Sequence, residues 1–303
     1  MSNKSTSGLP AERDIGTTGA LKINAAPCPD WALVAFGSLW VSGVEPGLAR
    51  YDAATGQRIG GLSIQNVCLA MDSGFGSVWA ASCTPGRPTL SRVDAKTGRL
   101  VATIELTQGA PARESSVGAG EGGIWLLSNG APKHLIILDP NSNKVLGEVP
   151  VPVDAAAVRA GLGAVWVTTS SPGSLVRLDP RSGKVIATIP VGGGARFLAL
   201  STSAVWVMNQ EDGTVSRVEP ESNRVVATIR VSSSPIQGGD ITASDDAVWV
   251  RVSDVLAARI HPPSNNVIDR VGPPKGSGSV AIADDSVWIT AHDVTSLWRL
   301  PQG

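Results

Sequence analysis

The chain is short of the side chains from which most catalytic centres are built. Its 303 residues hold three histidines, three cysteines and three methionines. The histidines, at 134, 261 and 292, do not cluster in sequence. There is no Walker loop, no zinc-type Cys/His spacing, no EF-hand loop and no Gly-x-Ser-x-Gly elbow after a βα pattern. Charge is sparse and balanced. Lys and Arg (25) nearly match Asp and Glu (26) for a formal net charge of −1, so the basic stripe that nonspecific nucleic-acid binding needs is missing. No apolar run approaches the ~18 residues of a membrane span. Met1 to Gly16 is polar and lacks the apolar core of a secretory leader.

Tryptophan and glycine are abundant instead, and they recur together. Gly37-Ser-Leu-Trp-Val41, Gly76-Ser-Val-Trp-Ala80, Gly122-Gly-Ile-Trp-Leu126, Gly163-Ala-Val-Trp-Val167, Ser203-Ala-Val-Trp-Val207, Asp246-Ala-Val-Trp-Val250 and Asp285-Ser-Val-Trp-Ile289 are versions of one motif. Successive tryptophans lie 39, 46, 41, 40, 43 and 39 residues apart. A period near 40 to 45 residues marks blades of four strands each. Seven tryptophans therefore predict a single all-β domain: a seven-bladed β-propeller of four-stranded antiparallel blades.

A second unit follows each tryptophan, as in Leu90-Ser-Arg-Val-Asp-Ala-Lys-Thr-Gly98 and Leu175-Val-Arg-Leu-Asp-Pro-Arg-Ser-Gly183. Its end is hairpin chemistry: Asp accepts from amides two residues on, and Gly tolerates the left-handed position. The Arg/Asp pairs inside it recur once per blade. A catalytic group is needed once, so they read as structural.

The chain ends complete each other. After Trp288 a third strand, Leu297 to Leu300, is the last. The N-terminal Thr17-Thr-Gly-Ala-Leu-Lys-Ile23 matches the tail of the repeat at Thr97 to Val101. The N-terminal strand is thus expected to close the ring as the outermost strand of the last blade, with residues 1–14 as a flexible tail and 15–303 as the propeller.

Gly-x-Val-Trp-Val, Leu-x-Arg-Leu-Asp-Pro-x-Ser-Gly and Lys-Val-Ile-Ala-Thr-Ile-Pro-Val-Gly together resemble the blades of bacterial YVTN-type propellers, over about residues 17 to 301. They also look like those of the virginiamycin B (streptogramin) lyase group. In that lyase, histidines in the loops entering each innermost strand act with a nearby Glu and a divalent metal. The matching positions here include Asp30, Trp31, Cys68, Ser115, Ala157, Phe197, Asp240 and Ser279, and none is histidine.

Labelling the strands of a blade a to d from the axis outward, the d–a and b–c loops share the face onto which ligand sites usually open. The expected ligand-binding residues there are Trp31, Arg113, Glu114, Asp154, Arg196, Arg251 and Lys275. Trp31 would stack on a ring or plug the channel. His292, Asp240 and Asp30 are the candidate acid–base groups, since histidine titrates near neutrality. The leading expectation is a monomeric binding propeller that engages a small polar molecule or a protein partner on the channel face. It needs no cofactor. The alternative is a lyase or hydrolase at the channel mouth, where a divalent metal could assist. Cys68 begins strand a of the second blade and Cys83 ends strand b beside it, so a Cys68–Cys83 disulfide is expected, with three buried thiols as the alternative. A bridge would imply a periplasmic or secreted protein; free thiols would suit the cytoplasm.

Overall fold

The computed structural model describes residues 8–24, 28–44, 47–273 and 276–302, together with the backbone but not the side chains of residues 24, 44, 68 and 69. The chain forms seven antiparallel sheets in a ring. Blade 2 is representative, with a at Val67–Gly74, b at Ser77–Ser82, c at Thr89–Asp94 and d at Leu100–Glu105. The innermost strands of the other blades are Ala32–Ala35, Val117–Gly120, Ala155–Gly161, Ala195–Leu200, Asp240–Ala243 and Val280–Ile282.

Closure follows the expected scheme. Strand β2 (Leu21–Asn24) pairs antiparallel with the last strand, Ser296–Pro301, as the fourth strand of blade 7. Ahead of it, β1 (Arg13–Asp14) adds a fifth, parallel strand to the edge of blade 6, opposite Val271 and Gly272. The Arg13 guanidinium forks onto the Asp269 carboxylate, its Nε donating to Oδ1 at 2.8 Å. Arg13 and Asp14 thus belong to the ring rather than to a tail, because this ion pair and two residues of strand pairing tie them to blade 6. Among the described residues no helix is long and apolar enough to cross a membrane.

The seven motif tryptophans are at most 1% exposed. Both faces of a strand b pack on neighbouring blades, so these strands are apolar on both sides instead of alternating. The repeated arginine of strand c lies over the tryptophan ring of its own blade, 5.0 to 5.2 Å from the centroid for Arg50, Arg92, Arg177 and Arg217. Each guanidinium then donates to a carbonyl in the c–d turn of the next blade: Arg50 to Lys96 at 2.9 Å, Arg92 to Pro140 at 2.6 Å, Arg177 to Pro220 at 2.6 Å and Arg217 to Pro262 at 2.8 Å. The aspartates do something separate. Asp52, Asp94 and Asp179 accept the amides of Thr55, Thr97 and Ser182 in their own turns. One repeated pair is therefore a staple between blades and a cap within a blade. His261, in the aspartate position of blade 6, keeps the turn by a 3.0 Å contact of Nδ1 with Ser264 Oγ.

Candidate functional site

On every strand a, the residue paired across from the blade tryptophan is the one seven positions earlier: Leu33, Asp72, Gly118, Arg159, Ala199, Thr242 and Ala281. Directly paired residues share a sheet face, so these seven form a layer one strand nearer the axis than the tryptophans. With their neighbours they surround a central cavity of about 290 Å³. Five are small or neutral by type, and two carry charge.

The cavity is closed at one end and open at the other. Met71, Val117, Val158, Leu198 and Ile241, one position before the layer, are buried, whereas Ser73, Ala119, Ala160, Leu200 and Ala243, one position after it, are half-buried. Access thus comes from the a–b turns. The d–a and b–c end is sealed by Trp31, 3% exposed, whose ring packs on Phe197 with centroids 5.6 Å apart and planes at 52°. A tilted aromatic pair of this kind adds about 0.5–1.5 kcal/mol beyond area burial. Trp31 is therefore the plug of the two roles open to it, and the expected funnel on this face does not lead into the channel. The physical reason is reach: a ring from blade 1 spans the axis to a ring from blade 5.

Above the plug lies a charged layer. The Arg196 guanidinium stacks 5.2 Å from the Phe197 centroid and donates 2.7 Å to Glu114 Oε2. Asp30 and His292 come together, Oδ1 and Nδ1 being 3.8 Å apart, beyond hydrogen-bond distance. Burial raises the Asp30 carboxyl to about 6; His292 and Arg251 oppose that shift, and Glu114 and Asp293 add to it. Asp154 accepts the Ser171 amide at 2.7 Å, beside Lys133, whose ammonium is depressed by burial and held up by Asp154. Arg113 is exposed. Lys275 lies outside the described residues.

Two expected members of this face belong elsewhere. Arg251 is 1% exposed and donates to the carbonyls of Val252, Leu256, Gly276 and Thr290. It ties blade 6 to blade 7, and burial lowers it to about 10. Asp240 lies below the plug, lining the cavity, where it accepts from Ser279 Oγ at 2.6 Å. Burial raises it to about 7, with Ser279 and Arg159 acting against the shift. The trio His292, Asp240 and Asp30 is thus divided between two compartments. Among the described residues no group of three His, Cys, Asp or Glu side chains is placed to hold a metal ion.

Asp72 and Arg159, missed when the loops alone were read, carry the cavity's remaining charge. Asp72 accepts from the amides of Ser73 and Ala119, each at 2.8 Å, and burial raises its carboxyl. Arg159 Nη1 donates to the Val117 and Val158 carbonyls at 3.1 and 2.9 Å. Both side chains reach the innermost strand of blade 3. That strand has Gly118 in the layer, where a Cβ would come within 3.2 Å of the Arg159 backbone. The signal was present in the sequence as the only charged residues seven positions ahead of a motif tryptophan.

The geometry defines a seven-bladed propeller with a plugged face and an open one. No protein-family model and no curated protein matches the chain. Solved structures do. It is similar to U3-55K at a TM-score of 0.72 and 10% identity, over 93% of this chain and 98% of that one. It is equally similar to the WD40 repeats of RRP9, at a TM-score of 0.72 and 10% identity over 97% and 99%. At such identity the likeness is one of fold.

Proposed function

We propose that the chain is a noncatalytic binding propeller that engages a protein partner across the face of its d–a and b–c loops. The observation carrying this reading is the Trp31–Phe197 seal. It turns the mouth from a pocket into a continuous surface on which Asp30, Glu114, Asp154, Arg196 and His292 are held by neighbours from several blades. Charge of both signs on a rigid platform suits a polypeptide, with electrostatic complementarity setting orientation and partner choice. The likeness to WD40 repeats supports the same class of use. The lyase or hydrolase alternative is not favoured: His292 is not hydrogen-bonded to Asp30, and Asp240 lies on the other side of the plug. The YVTN-type motifs support the architecture rather than a reaction.

The test is capture from the source cells with three forms of the chain: unaltered, Arg113→Glu/Arg196→Glu on the mouth, and Ile186→Ser on an outer strand. The expected result is a defined protein set retained by the first and third forms and lost by the second, with unchanged thermal midpoints. Equal capture by all three would overturn the reading.

We further propose the Cys68–Cys83 bridge, and with it an oxidising compartment. The Cys68 side chain lies outside the described residues. The backbone brings the two strand ends together: Val67 is opposite Ser82 and the Cys83 amide donates 2.9 Å to the Asn66 carbonyl, which makes Cys68 a diagonal neighbour of Cys83. Cys28 is exposed and free. Thiol titration of denatured, unreduced protein is expected to return one thiol per chain; three would refute the bridge.

A further inference from the structure

The channel below the plug holds charged side chains that, among the described residues, make no direct ion pair with one another. Arg159 places a guanidinium in the cavity, and among the described residues no carboxylate lies within ion-pair distance of it. Its Nη1 donates to two backbone carbonyls, those of Val117 and Val158. Asp72, the other charged member of the layer, gives its oxygens to two amides. Asp240, 4% exposed and two blades from Arg159, accepts from Ser279 Oγ and from the Ile241 and Val280 amides. The edge strand between those blades contributes Ala199 and Leu200 to the cavity, and neither can bridge them.

Burying a cation and an anion apart, rather than in contact, is unfavourable unless something else satisfies both. Salt ions or water could do so singly. A bipolar molecule would do so at once, and the pocket is enclosed enough to exclude bulk solvent on the Trp31 side. Small-molecule sites are concave, with a few placed polar groups that fix the ligand's orientation.

We propose that the central channel is a binding site for a compact zwitterion, entered from the a–b turn face, with the ligand's carboxylate on Arg159 and its ammonium on Asp240. The guanidinium fork matches a carboxylate in two parallel bonds. With Asp72 and Asp240 both ionised beside Arg159, the cavity walls carry a formal charge of −1, which selects against a simple anion. Thr242 and Ser73 line the same space and supply hydroxyls. Met71, Leu33 and Val34 line the wall that would cover the ligand's carbon chain. The site is independent of the partner face, from which Trp31 separates it.

The test is isothermal titration of the full chain at about pH 8.5, where the Asp240 carboxyl is ionised, with glycine, β-alanine, γ-aminobutyrate and 6-aminohexanoate, which lengthen the charge separation stepwise. Butyrate and n-butylamine serve as the matched anion and cation. One member of the series is expected to bind, about tenfold or more tighter than either control. Arg159→Gln and Asp240→Asn should each weaken that binding by about tenfold. Since Arg159 also supports blade 3, Ala199→Phe gives a second probe: it fills the cavity without touching a charge, and should abolish binding while partner capture persists. Arg196→Glu, above the plug, should leave it unchanged. Three results would overturn the proposal: no member binding at millimolar concentration, butyrate or butylamine binding as well as the best zwitterion, or binding that survives Ala199→Phe.

Discussion

Removing residues 1–24 is expected to lower stability by on the order of 5 kcal/mol, whereas removing residues 1–12 should change it little. The longer truncation takes away the outer strand of blade 7 and leaves Ser296–Pro301 as a bare edge. It also strips Ile23 from the cluster around Trp288 and Leu297, and Ile15 and Ala20 from the cluster around Trp298. Two partly buried isoleucines at roughly 1–2 kcal/mol each, with ladder hydrogen bonds at about 1 kcal/mol each, make up the figure. That is a large share of the 5–15 kcal/mol typical of a folded domain. The shorter truncation keeps Arg13 and its fork onto Asp269. Urea unfolding of the two truncations decides it, and coincident midpoints would sink the closure scheme.

Asp240→Asn is expected to stabilise the protein at pH 8 by up to about 4 kcal/mol, and by nothing at pH 4. The carboxyl stands at about 7 in the folded chain against an ordinary 3.8, a difference of about three units at 1.36 kcal/mol each. Between those values the folded state holds a proton that the unfolded state has released. Stability from this group is therefore fully present below about pH 4, falls as pH rises to about 7, and is flat beyond. Asp30, at about 6, acts in the same direction. The turn aspartates Asp52, Asp94, Asp139 and Asp179 are held below their ordinary value by amide and hydroxyl donors in their own turns. Their contribution is present above about pH 4 and lost below it, so the unaltered protein should be most stable in mild acid. Asparagine keeps an oxygen for Ser279 and removes the charge. Denaturation midpoints measured from pH 4 to 8 should converge for the two proteins in acid and separate in base. Parallel curves would show that Asp240 is not buried as a charge. The same substitution is expected to weaken zwitterion binding, so gain in stability and loss of affinity are read from one variant.

The mouth residues show how far loop positions can be read. Asp30, Glu114, Arg196 and His292 were placed on one face by their position in the repeat, and they do lie together there. Asp240 was placed with them by the same rule and lies beneath the plug, because Trp31 occupies the space between. Arg251, one residue past the apolar core of its strand, reads as an exposed loop cation. Buried beside blade 7, it has four carbonyls to bind, and that compensates for its desolvation.

The repeat determined by itself the number of blades, the strand that closes the ring and the structural use of the Arg/Asp pairs. Those features depend on local chemistry: strand alternation, turn residues and one large ring per blade, repeated until the sheets must close on themselves. The tertiary structure alone decided which end of the channel is open, that Trp31 meets Phe197, that Arg196 meets Glu114, and that Arg159 and Asp240 face one cavity without touching. These relations join positions 81 to 166 residues apart, between blades, where no local pattern records the neighbour. Whether two charges in such a ring pair with each other or wait for a ligand depends on the width of the space between them, and only the closed ring sets that width.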